Sequence, residues 1–416
     1  MALPTILINA TGGSDSAASG AGPTTALAGT AASFSGAVVT LDGSPDLSGV
    51  ATDGSHVLYL VTSTGSRFFK ITAADNGADT VTVTPNPAGT ASGLTWAIGG
   101  KRASLTSTSS QFLINNGASL GDAKAGWTIR FESGHTETAS ARVNCYATGD
   151  TTDGPVVIEG ASGTRPIITL SAADWVVRTG YQAYKNFNLA GTGGAGDAFV
   201  DVSTDVTVYH GLQISGFSGV LFGASGGAGL LNGRITGCEL VGGSVAVKIE
   251  KCTVAGNKIY DQTSHGIEGP SGSIVSNILW NLIYNVSGDG IKITQDRVDG
   301  FANCVIANNT IEDATGDGIE YTGDGKGAGK LIIFNNLITN CGGYGINFVS
   351  LTAAKMLAYG SFVSHNNTYN NTSGASNLSG VLENDAGTNP SYTGGGDYTP
   401  TQATLEGEAF PEAFGL

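Results

Sequence analysis

The sequence predicts an all-β chain, most of it a solenoid of stacked coils, with a small β domain ahead of the solenoid. Three observations lead there. Of 416 residues 64 are Gly and only 13 % are charged, too few Lys and Glu for solvent-exposed helices, which depend on good helix formers and paired surface charges. Hydrophobic residues make up 40 %, enough to bury a long core and too many for a disordered chain. A short motif also recurs with a period in the twenties, the mark of a repeat architecture.

Taken in chain order, residues 1–35 are rich in Ala, Gly, Ser and Thr without a usable period, and are expected to form an extended N-terminal arm. Residues 36–105 switch to short β-like runs, AVVTL, HVLYLVT, RFFKIT, DTVTVT and LTWAIGG, separated by Gly, Asp, Asn, Ser or Pro. About five such strands make a small sandwich or barrel, with FKITAADNGADTVTVT as a hairpin.

The repeat dominates residues 106–384. Four segments align on an Asn-Xaa-Ile core, GNKIYDQTSHGIEG, WNLIYNVSGDGIKIT, NNTIEDATGDGIEYT and NNLITNCGGYGINFV, with periods of 24, 28 and 27 residues. Their Asn residues are Asn257, Asn281, Asn309 and Asn336; the Ile residues that follow are Ile259, Ile283, Ile311 and Ile338. Further on, each segment has a Gly followed by Ile267, Ile291, Ile319 or Ile346, and Val254, Ile278, Ile306 or Ile333 precedes each Asn by three. Short strands, Gly at the corners and phased aliphatic columns fit coils of about three strands, in which equal positions stack roughly 4.8 Å apart. Aliphatics then fill the inside, and the Asn side chains form a hydrogen-bonded ladder at a bend. Weaker coils extend the register to FVSHNNTYNNTSG, where Asn367 and Tyr369 are expected in the Asn and Ile positions. Residues 385–416, with Pro, Gly and acidic side chains, are expected to cap the last coil, whose strand edges would otherwise stay unpaired.

Asn-rich bends with Gly-Ile corners resemble the right-handed parallel β-helix, or pectate-lyase-like, superfamily, over roughly residues 110–400. In texture the whole chain, from MALPTILINATGG to GDYTPTQATLEGEAFPEAF, resembles β-helix structural proteins of tailed-phage virions. That resemblance implies a projecting spike, fibre or capsid-surface appendage, made in the bacterial host cytoplasm and carried on the virion surface. Docking through the N-terminal region onto other virion proteins, a homotrimer and contact with host surface polysaccharide follow from the same resemblance. Its enzymatic alternative is a tailspike depolymerase.

Charge and composition exclude other classes. Net charge is −15 and no Lys/Arg cluster occurs, so the footprint for phosphate neutralisation is missing and nucleic acid is not an expected partner. No run of 18 apolar residues suggests membrane insertion, and the first residues carry no basic leader. Five scattered cysteines, Cys145, Cys238, Cys252, Cys304 and Cys341, read as buried reduced thiols. The five His never take metal-ligand spacing, and neither metal nor cofactor is expected.

Catalysis on such a solenoid needs acidic side chains stacked on an outer face. Asp289 and Asp317 precede the repeated Gly on successive coils, with Glu320 three residues after Asp317; carboxylates one coil apart approach the separation used by retaining glycosidases. The plainer reading is Asp-Gly turn chemistry. Glu268, Lys292, Glu320 and Asn347 form a second outward column, read as a surface charge ladder. Asp261, Asn285, Asp313 and Asn340 form a third column, expected to hydrogen-bond their own turns. The polygalacturonase pattern has only faint echoes here, in SHGI at His265 and IKI at Lys292. GDGKGAGK at 323–330 fails phosphate-loop spacing. Trp127, Trp175 and Trp280 read as core residues or intersubunit anchors, and as sugar-stacking surfaces only if exposed.

Overall fold

The structure is a computed structural model. It describes residues 5–8, 27–52, 56–62, 65–84, 86–87, 89–99, 101–102, 104–105, 125–203, 205–224, 228–270, 275–295, 303–323, 330–358, 360–379, 382, 385, 387–394 and 397–400. The fold is all-β, a parallel β-solenoid and a small antiparallel barrel, with one short helix, Ala353–Ala358, among the described residues. No described helix is long and apolar enough to cross a membrane. The chain divides into two compact units, Met1–Thr169 with Arg178–Asn188, and Leu170–Val177 with Leu189–Leu416.

The first unit holds a closed antiparallel barrel of six strands, Leu27–Ser35, Val38–Thr40, Val57–Thr62, Gly65–Asp75, Thr80–Thr84 and Thr90–Gly99. Alternation sends Val39, Leu58, Leu60, Phe69, Ile71, Val81, Val83, Trp96 and Ile98 into one core. The expected hairpin is present, with Gly65–Asp75 running antiparallel to Thr80–Thr84. Gly29 is required beside Trp96, since a Cβ there would lie 2.3 Å from the indole nitrogen. The barrel therefore begins within the stretch read as an arm. A second correction concerns Thr5–Ile8, which is a strand and not an extended arm: it pairs in parallel with Thr128–Phe131, so that Ile6 stacks on Ile129 in a buried column. Four residues alternating inward and outward suffice to add a rung when a parallel edge is available. The rest of the arm, residues 9–26, lies outside the described residues.

The second unit is solenoid. Face one carries Asn277–Leu279, Asn303–Ala307, Lys330–Phe334 and Phe362–Ser364; face two carries Lys258–Tyr260, Leu282–Val286, Thr310–Ala314, Leu337–Thr339 and Asn367–Tyr369. Face three carries Ile267–Gly269, Ile291–Gln295, Ile319–Gly323, Tyr344–Val349 and Gly374–Ser376. Each coil runs from face one through a bend to face two, then through a turn to face three. Pairing is parallel and in register: Ile259 with Ile283, Ile311 and Ile338, and Ile267 with Ile291, Ile319 and Ile346. All eight are fully buried. Earlier coils fill the same space with aromatics, Phe199 and Phe222 stacking at 5.4 Å.

At the first bend Asn257, Asn281, Asn309 and Asn336 are fully buried. Each side-chain oxygen accepts from the previous coil: the Asn281 and Asn309 backbone N–H groups donate at 3.0 Å to Asn309 and Asn336, and their side-chain amides donate at 2.9 Å. The ladder continues to Asn366, not Asn367, because Leu337 pairs with Asn367 and Ile338 with Thr368. HNN offers two Asn, and the backbone register selects the first. The residue before each ladder Asn is left-handed, at Gly256, Trp280, Asn308, Asn335 and His365. The third polar column, Asp261, Asn285, Asp313 and Asn340, is left-handed as well, a conformation that short polar side chains tolerate. Asn285 Nδ2 donates to Asp261 across coils at 2.5 Å. All five cysteines are buried and none forms a disulfide; burial pushes Cys252 and Cys304 up to about 12, leaving inert thiols.

Candidate functional site

The turn from face two to face three brings His265, Asp289, Asp317 and Tyr344 into one column. Gly makes this possible. A Cβ at Gly316 would sit 2.3 Å from Asp289 Oδ1, and one at Gly343 would sit 2.1 Å from Asp317 Oδ1, so each carboxylate occupies the space a side chain would take on the next coil. The Asp317 N–H donates to Asp289 Oδ1 at 2.8 Å, and the Tyr344 N–H donates to Asp317 Oδ1 at 2.6 Å. The Asn347 amide donates to Asp317 Oδ2 at 2.7 Å. This is a second ladder, made of acids where the first is made of amides.

Asp289 also faces cations. Its Oδ2 lies 3.3 Å from His265 Nδ1 and 3.5 Å from Lys292 Nζ, and Lys292 reaches Glu320 at 3.0 Å. His265 Nδ1 accepts the Asp289 N–H at 3.0 Å when it carries no hydrogen, and can donate to the carboxylate only when Nδ1 carries one. Asp289, Asp317 and Glu320 each present an oxygen within 4.8 Å of the other two. These three could offer ligands to a cation, but Lys292 already supplies a positive charge to Asp289 and Glu320.

Environment separates the two aspartates. Burial is the largest influence on Asp289 and pushes it up, yet His265, the Asp317 N–H and the Lys292 charge together hold it below the ordinary value. Burial also pushes Asp317 up; bonds from Asn347 and Tyr344 oppose this, and the Asp289 and Glu320 charges add to it, so its carboxyl ends above the ordinary value. Neighbouring groups with pKa values pushed apart are the arrangement general acid–base chemistry uses.

Sequence reasoning missed Glu312. Alternation places it outward on face two, in register with Tyr284 and Thr339, but it is only 7 % exposed. Asn340 donates to its Oε1 at 3.1 Å, while Oε2 is buried without a partner. Burial, with the neighbouring Asp313 charge, pushes this carboxyl up to about 7. Of the tryptophans considered, Trp127 and Trp175 are core, whereas Trp280 is 38 % exposed. An open recess lined by Gly160, Ser162, Arg165 and Asn186 lies in the first unit and contains no carboxylate.

These features define a parallel β-solenoid protein, and the family described as "Right handed beta helix region" matches residues 184–373, a little under half of the chain. No curated protein matches the sequence. Among solved structures, the chain is similar to the catalytic domain of a GH87 alpha-1,3-glucanase variant in complex with tetrasaccharides, at 12 % identity over 88 % of this chain and 91 % of that one, TM-score 0.33. The GH87 alpha-1,3-glucanase catalytic unit from Streptomyces thermodiastaticus strain HF3-3 matches at 14 % identity over 88 % of each chain, TM-score 0.34. A mutant of the periplasmic alginate epimerase AlgG matches at 13 %, over 63 % of this chain and 76 % of that one, TM-score 0.31.

Proposed function

We propose that the second unit is a polysaccharide depolymerase acting at the turn that carries Asp289, Asp317 and Glu320. The observation that carries this reading is the pair of carboxylates on adjacent coils, within 4.8 Å, one held ionised and the other held protonatable. Asp317 donates the proton to the leaving glycosidic oxygen. Asp289, kept anionic by His265 and Lys292, stabilises or attacks the anomeric centre. Carboxylates on adjacent coils stand far closer than the roughly 6.5–9.5 Å that an inverting pair leaves for its water. Both forms coexist only between the two pKa values, so turnover has an acidic optimum: it falls as rising pH deprotonates Asp317 and as lower pH neutralises Asp289. Purified protein incubated with bacterial surface polysaccharide, followed by sizing of the sugar, tests this directly. Shortened chains that disappear in Asp289→Asn and Asp317→Asn, with unfolding midpoints within a few degrees of the parent, support it; intact chains across the pH range overturn it.

One observation favours a second reading, a non-enzymatic virion appendage docking through its N-terminal region, self-associating as a homotrimer and touching host glycans. Asp289 Oδ1 and both Asp317 oxygens already accept bonds from the following coil, as carboxylates that tie coils together would do. Under this reading the same substitutions lower stability, and no sugar is shortened.

A further inference from the structure

The bend carrying the amide ladder places left-handed residues in one column, and the rule there is Gly or Asn: Gly256, Asn308 and Asn335. Trp280 and His365 depart from it, and Trp280 is the bulkier, with φ +52° and 38 % exposure. A bulky side chain in this region is a strained outlier, and a ring left 38 % exposed recovers only part of that strain through burial. Strain retained at a ring that still faces water points to a ligand.

The surroundings say which. On the neighbouring outward positions of face one stand Phe334 and the 41 % exposed Phe362, their rings 6.1 Å apart, with His365 at 5.3 Å from Phe334. Directly along the column, Asn335 Nδ2 donates to Asn308 Oδ1 at 2.8 Å. That bond uses one oxygen and one nitrogen, so the Asn308 NH2 and the Asn335 carbonyl oxygen can serve a ligand. The column reads Trp280, Asn308, Asn335, His365, with Phe334 and Phe362 beside it on face one; aromatic rings next to amides, with no Lys or Arg among these six residues, match a chain of uncharged sugars, whose C–H faces stack on rings while hydroxyls pair with amides.

We propose that Trp280, Asn308, Asn335 and Phe334 form a binding track for a neutral glycan lying along the solenoid, on the opposite side of face two from the Asp289–Asp317 turn. The inference rests on the polysaccharide reading but needs only binding. Trp280→Asn restores the residue type the column otherwise uses. It is expected to leave the unfolding midpoint unchanged or raised while weakening glycan binding at least tenfold, a separation that a merely structural Trp would not give.

The probe is an immobilised array of neutral hexose oligosaccharides and uronic-acid oligosaccharides. Emission of Trp280 serves as the second readout, since Trp96, Trp127 and Trp175 are buried. Binding of a neutral member by the parent, lost in Trp280→Asn, supports the track. No neutral binder, equal binding by Trp280→Asn, or a changed oligomeric state in that variant with glycan binding unchanged would overturn it. Binding without cleavage would sink the depolymerase reading and leave the track standing.

Discussion

At the scale of single residues, burial rather than position in the repeat decides chemistry. Glu312 shows this most clearly, because outward alternation would make it an ordinary surface acid, yet it is 7 % exposed with one oxygen unpaired. Its folded pKa, pushed up to about 7, lies above its unfolded value of 4.5. The unfolded state therefore releases this proton first. Stability falls as pH rises from about 4.5 to about 7 and is flat with respect to this group on either side. Glu312→Gln should match the parent at pH 4 and exceed it by roughly 1–3 kcal/mol at pH 8. Urea unfolding at the two pH values checks this, and equal differences at both would refute it. Period-2 patterning shows which way Glu312 faces but not whether that side is covered. The sequence singles out Trp280 but not its exposure or its left-handed backbone, for a related reason: turn rules anticipate Gly or Asn at its position, and nothing local marks the exception.

At the scale of elements, the repeat is legible because the same two constraints act on every coil. One is the amide ladder. Asn309 donates to Ile278 O, Ala307 O and Asn336 Oδ1, and accepts from Asn281. Asn309→Ala leaves buried groups unpaired on both neighbouring coils and should cost about 1–3 kcal/mol or more; an unchanged denaturant midpoint would count against the ladder. The other is the Gly before each face-three strand. A Cβ at Gly318 would lie 2.2 Å from Ile338 Cγ2 and 2.7 Å from Gly345 O, so Gly318→Ala must push coils apart, with a predicted loss of several kcal/mol by the same measurement. Where a motif offers two equivalent residues, as in HNN, sequence spacing cannot choose. The choice of Asn366 over Asn367 comes from strand register, which sums contributions from a whole coil. The arm was misread for the opposite reason, since TILI alone is too short to declare a strand before its partner, Thr128–Phe131, is known.

At the scale of the second unit, a solenoid is stabilised chiefly by each coil against the next, so its final coil must be closed. The closure uses Asp385, whose carboxylate accepts the Thr368 N–H at 3.0 Å and the Thr368 hydroxyl at 2.5 Å. Thr368 continues the inward Ile338 column, and it is therefore the core itself that would open to water. Beside it, Asn367 and Thr388 exchange two bonds, the Thr388 N–H donating at 2.8 Å and the Asn367 amide at 2.9 Å. Asp385→Ala removes the acceptor from a backbone N–H at an open strand edge, and such edges recruit other chains. The expected outcome is a lowered unfolding midpoint together with light scattering that grows with protein concentration below that midpoint, neither of which Asp289→Asn should produce. A fall in midpoint without association would mean that Thr388 and Asn367 close the edge unaided. No change in either would remove Asp385 from the cap, because a coil end left with an unpaired N–H and an exposed Thr368 has no other described partner for that group.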